Sequence, residues 1–136
     1  MLQAYSSDLT VAANAAFPFN NVTIDKGCGE TLSAPASIQL NKRGVYLVEM
    51  DGFATGSAAG INTVQLNVNG VAYPQAIASF TTAAATVADF GFKTFVQVMN
   101  NNCQCNCLSS PTVLQFVNGE QPLTDAHINV VVTKIC

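Results

Sequence analysis

The sequence predicts an all-β protein, an antiparallel sandwich or barrel, and three observations carry that expectation. Helical periodicity is nearly absent over the 136 residues. The stretch from Thr63 to Val68 alternates cleanly, Val64, Leu66 and Val68 against Thr63, Gln65 and Asn67, the period of a half-buried strand. Asn69-Gly70 follows at once, and an Asn-Gly pair between alternating segments closes a type I′ hairpin because both central residues need φ > 0.

Taken in order, Ala4 to Ala13 reads as a weak first strand, and Phe17 to Asn21 as an extended turn into a strand from Val22 to Ile24. Asp25 to Ser33 reads as a loop carrying Cys28, and Ile38 to Leu40 as a short strand. Gly44 opens a run in which Tyr46, Val48 and Met50 point one way and Val45 and Leu47 the other, with a small-residue loop expected from Ala54 to Gly60. After the hairpin, Ala76 to Thr81 continues the sheet. Thr82 to Ala88 is Ala-rich and uncapped, so a loop or a strand entry fits it as well as a helix. Thr86 to Met99 is the longest strand candidate, placing Ala88, Phe90, Phe92, Thr94, Val96 and Val98 on one face. A Cys-rich loop, a strand from Thr112 to Val117, a turn at Asn118-Gly119 and a last strand from Ile128 to Ile135 complete the chain. Roughly eight to ten short strands at this spacing in a chain of this length predict one domain spanning residues 1–136.

Two strands are apolar on both faces, Val45 to Met50 and Ile128 to Ile135 through Val130, Val131 and Val132. An antiparallel strand normally shows water one face. A cover is therefore expected over Val45, Leu47, Val130 and Val132, either another subunit or loops of the same chain.

Composition points the same way. Apolar residues make up 49% and charged residues 10%, against about 25% charged in ordinary soluble domains, so the polar surface is built from Asn, Gln, Ser and Thr. That suits an extracellular, virion or assembled surface protein. The net charge of −3 argues against a nucleic-acid binder, and Lys26, Lys42, Arg43, Lys93 and Lys134 are dispersed along the sequence with no basic run. No apolar run reaches the ~18 residues needed to span a bilayer. The N-terminal stretch lacks a basic region followed by an unbroken apolar one, so a secretory signal is not expected.

The order of elements, a short strand into Gly44-Val45-Tyr46, a strand ending in Asn69-Gly70, the aromatic-rich strand Phe90 to Val98 and the closing Ile128-Asn129-Val130-Val131-Val132, resembles the jelly roll of complement globular heads and tumour-necrosis-factor-like ligands. It is most similar to bacterial and phage versions such as the heads of collagen-like spore-surface proteins. The resemblance implies a ten-stranded, two-sheet jelly roll, a homotrimer around an apolar three-fold axis, and a role in binding or decoration with no catalysis and no cofactor. The chain departs from the pattern in having no Gly-X-Y stalk and in its cysteine cluster.

Cys103-Gln104-Cys105-Asn106-Cys107 is the most singular local feature. On an extended backbone its three sulfurs share a face ~6.5–7 Å apart, too far for a bond between neighbours whose Cα atoms should lie ~5.5 Å apart. Partners for them are Cys28, Cys136 or another chain. Five cysteines are an odd number, so one at least is free, metal-bound or paired between chains. The spacing is not that of a zinc site. His127 is the sole histidine, two residues after Asp125, where an extended backbone would put both on one face; a structural role fits a lone histidine at a strand edge better than a metal or acid–base role. No nucleophile elbow, His-Glu-x-x-His or phosphate loop is present. The expected function is a non-enzymatic, trimeric structural head or decoration protein on a phage virion or similar particle, with itself and a capsid or fibre protein as partners. The alternative is a receptor- or glycan-binding head of a fibre or spore-surface protein.

Overall fold

A computed structural model describes residues 1–27, 29–98 and 107–136, the side chains of 107–109 excepted. The described chain is ten strands: β1 Leu2–Val11, β2 Asn21–Asp25, β3 Glu30–Ala34, β4 Ser37–Lys42, β5 Gly44–Gly56, β6 Gly60–Val68, β7 Val71–Thr82, β8 Val87–Val98, β9 Cys107–Asn118 and β10 Leu123–Lys134. They form two five-stranded antiparallel sheets, the first in the order β2-β1-β10-β5-β8 and the second β3-β4-β9-β6-β7. The two double-faced strands are neighbours near the middle of the first sheet, flanked by β1 and β8.

The core lies between the inward faces. Tyr46, Val48 and Met50 of β5 and Ile128, Val130 and Val132 of β10 meet Ile38, Leu40, Val64, Leu66, Leu114 and Phe116 from the second sheet, all of them buried. The segment between β1 and β2 fills one side with Phe17 and Phe19, the first held by a backbone bond from its N–H to the Phe116 carbonyl at 2.8 Å. Tyr46 is fully buried and its hydroxyl donates to the Lys42 carbonyl at 2.7 Å, which gives the polar end of an otherwise apolar side chain its partner.

Turn chemistry explains the β6–β7 hairpin: Asn69 and Gly70 both take positive φ, 51° and 79°, as a type I′ turn requires. Among the boundaries that differ from the sequence expectation, three are explained by cross-strand pairing. Glu30–Ala34 is a strand, not loop, because its backbone pairs with β4 from Glu30↔Leu40 to Ala34↔Ser37. Ala54 to Gly56 continues β5, since cross-strand bonding to β8 runs on through Ala54↔Ala88 and Thr55↔Val87. The strand after the Cys-rich stretch starts at Cys107, opposite Lys42.

The facing of β10 corrects one expectation about the covered surface. Val130 and Val132 are 0% exposed and belong to the core, so they are not on the outer face with Val45 and Leu47. The outward valine is Val131, in register with Glu49. The phase is set by a bulge: pairing jumps from Thr124↔Thr55 to His127↔Phe53, with Asp125 in the left-handed region at φ 47°.

Candidate interaction surface on the outer face of the first sheet

Cross-strand register fixes what the outer face of the first sheet displays, because partners across a sheet share a face. One row sets Thr133 beside Leu47 and Leu47 beside Phe95; the next sets Gln3, Val131, Glu49 and Lys93 side by side. A third runs Tyr5, Asn129, Asp51 and Gly91, and a fourth His127, Phe53 and Asp89. Val45, Leu47 and Val131 are half-buried, while Phe53 and Phe95 are 43% and 56% exposed. The face is thus graded along its strands, apolar toward the start of β5 and polar with aromatic rings toward its end.

The polar rows are internally bonded. Gln3 donates its amide to Asn129 Oδ1 at 3.2 Å, and Asn129 donates to Asp51 Oδ1 at 3.2 Å. Lys93 pairs with Glu49 at 3.1 Å, both side chains well exposed, so the pair contributes little to stability. The ring of His127 stacks on Phe53 with centroids 5.1 Å apart and planes 11° from parallel, and its Nδ1 lies 3.0 Å from Ser7 Oγ. Asp125 sits on the bulge, and His127 takes Ser7 as its polar partner. Among the described residues no three His, Cys, Asp or Glu side chains are grouped as a metal site.

The rim between the sheets closes through Tyr73, whose hydroxyl reaches from β7 to donate to the Phe95 carbonyl of β8 at 3.0 Å. That bond occupies an outward carbonyl on an edge strand, and Pro74 beside it cannot donate, two devices that discourage strand-on-strand pairing at this edge. The second sheet has its own outward apolar side chains, Ile61 on β6 and Val71 and Ile77 on β7, at 71%, 69% and 45% exposure.

Of the cysteines, Cys136 is disulfide-bonded, and its backbone carbonyl accepts from the Val45 N–H at 3.2 Å. Cys28, Cys103 and Cys105 lie outside the described residues, and Cys107 is described by its backbone alone, opening β9 opposite Lys42.

Charge is unevenly placed in a way that the sequence does not display. Strand direction and register bring Lys26, Lys42, Arg43 and Lys134 to one end of the sandwich: Lys42 ends β4, Arg43 joins it to β5, Lys134 ends β10 opposite Tyr46, and Lys26 follows β2 with its N–H on the Met1 carbonyl. Asp25 and Glu30 are the carboxylates there, and Glu30 is buried, accepting from the Lys134 N–H at 2.8 Å and from the Met1 amine at 3.0 Å. Asp8, Glu49, Asp51, Asp89, Glu120 and Asp125, with Lys93, lie away from that end.

The sequence matches no family profile and no curated protein sequence. Solved structures do resemble it. The globular domain of zebrafish complement 1qA protein superposes with a TM-score of 0.69 at 9% identity, over 99% of this chain and 96% of that one. This chain has the complement-head and tumour-necrosis-factor-like jelly-roll fold. The PRD1 vertex protein P5 shares the jelly roll at TM-score 0.65 and 21% identity, covering 99% of this chain and 96% of that one. The Eiger TNF of S. frugiperda does so at 0.65 and 12%, covering 98% and 92%. Among the described residues no helix is long and apolar enough to cross a membrane.

Proposed function

We propose that the chain is a non-enzymatic structural protein, a homotrimeric jelly-roll head or decoration protein on the surface of a phage virion or similar particle. The observation that carries the reading is the outer face of the first sheet, where Val45, Leu47, Val131, Phe53 and Phe95 stand outward on strands whose other face is already committed to the core. A cyclic trimer needs a heterologous contact, two different surfaces per subunit that fit each other. The chain offers two separate sets of outward apolar side chains: this face, and the β6–β7 side with Ile61, Val71 and Ile77. The likeness to the PRD1 vertex protein P5 supports the particle setting. A disulfide at Cys136 fits an exported or particle-borne protein better than a reducing interior.

Light scattering at micromolar concentration tests the reading. A particle of three chain masses supports it, and a monodisperse single chain refutes it.

The second reading, a receptor- or glycan-binding head of a fibre or spore-surface protein, draws on the likeness to the complement globular domain. Binding to a glycan array by a trimer would favour recognition over decoration.

A further inference from the structure

We infer that His127 makes the assembly acid-sensitive: the homotrimer holds at neutral pH and comes apart as the imidazole gains its proton. The inference rests on the trimeric reading, with a second copy of the chain as the cover of the first sheet's outer face.

β10 is the third of the five strands of that sheet, so it runs down the middle of the outer face. Its outward side chains are Thr133, Val131, Asn129 and His127, and those of β1 beside it are Gln3, Tyr5 and Ser7. None of these carries a fixed charge. The ionised side chains in register with them, Glu49, Asp51, Lys93 and Asp89, stand on β5 and β8, to one side. His127 is therefore the position in this central strip whose charge changes near neutrality, since an imidazole is the side chain that takes up a proton between about pH 8 and pH 5.

The surface proposed to meet this face has no counter-charge to give. β6 and β7 contain no Asp, Glu, Lys, Arg or His. The middle of a contact loses its water while the rim keeps it, and a charge that loses water without gaining a partner is disfavoured. A neutral His127 suits such a cover. It is half-buried, its ring stacks on Phe53, and its Nδ1 meets the uncharged Ser7 hydroxyl. An imidazolium in the same place does not suit it.

The titratable groups around His127 are Tyr5 and Asp8 on β1, Asp51 on β5, Asp89 on β8 and Asp125 on its own strand. All four carboxylates are exposed. Asp51 accepts from Asn129. Asp89 lies two strands away across Phe53, roughly 9–10 Å at the spacing of paired strands, beyond the ~8 Å over which exposed charges are felt at physiological salt. Exposed carboxylates attract an imidazolium in the free chain as they do in the assembly, so the lost water sets the difference between the two states. The free chain then binds the proton more readily than the assembled one. Assembly is at full strength where the free imidazole is neutral and weakens as pH falls, by up to about tenfold per pH unit for each histidine that must shed its proton.

The test is light scattering with circular dichroism on the full chain from pH 8 to pH 5, a range in which ordinary carboxylates stay largely ionised. The unsubstituted chain is expected to show three chain masses at pH 8 and a folded single chain toward pH 5. His127→Gln, and His127→Phe with a ring still against Phe53, are expected to stay assembled throughout. His127→Lys, a cation at every pH of the range, is expected to be a folded single chain already at pH 8. An unsubstituted chain that stays trimeric at pH 5 or unfolds as it dissociates, or neutral variants that dissociate with acid as it does, overturns the inference and leaves the trimer standing. A single chain mass at pH 8 overturns the trimer and the inference with it.

Discussion

Leu47 and Phe95 stand directly opposite each other in the β5–β8 pair, both directed out of the sandwich, and Phe95 is 56% exposed. Their neighbours inward along the strands, Tyr46 and Val96, are buried, so this outward pair has no role in the core of its own chain. Leu47→Asp is expected to leave the monomer's stability within about 0.5 kcal/mol, as for most surface changes, and to abolish the proposed trimer. Circular dichroism with light scattering reads the two effects separately.

The alternation on β10 gives a sharper contrast. Val131→Asp is expected to dissociate the assembly with the fold intact, because the side chain is half-buried and outward. Val130→Asp puts an unpaired carboxylate at a fully buried position, a change on the order of 4 kcal/mol or more. Soluble folded yield of the two variants, measured side by side, distinguishes them.

At the opposite end of the sandwich from Lys42, Asn118 ties three segments together. Its amide donates to the carbonyls of Val11, Ala12 and Gln121, and its Oδ1 accepts from Asn62 at 3.0 Å. Asn118→Ala strands those carbonyls beside a buried cavity. A loss of about 2–3 kcal/mol in urea unfolding is expected, with no change in assembly at native temperature.

Tyr46→Phe removes one oxygen from the core and leaves the Lys42 carbonyl without its 2.7 Å partner. A cost of about 1–2 kcal/mol is expected. Chemical denaturation checks it, and a change below the error of the fit would show that water replaces the hydroxyl.

What could be read from the residues was whatever chemistry is local. Asn69-Gly70 dictates its own turn, and β8 alternates strongly enough through Phe90, Phe92, Thr94, Val96 and Val98 to reveal its inward face. The β3 strand could not be read, since Glu30-Thr31-Leu32-Ser33-Ala34 is short, sets a carboxylate on the face of Leu32 and Ala34, and is marked as a strand by its pairing with β4. The phase of β10 was equally hidden: Val130, Val131 and Val132 are identical side chains, and a backbone bulge at Asp125 decides which of them faces the core. The basic end is invisible in sequence for a different reason. Lys26, Lys42, Arg43 and Lys134 span most of the chain and meet only because antiparallel strands return to the same end.

The most direct measurement of the central claim is the native mass of the purified chain, taken with and without reductant. The account predicts three chain masses in both conditions, because the proposed assembly rests on apolar contact through the outward Leu47, Phe95 and Val131. A single chain mass in both would contradict it, and a trimer that falls apart on reduction alone would move the assembly from this face to the cysteines.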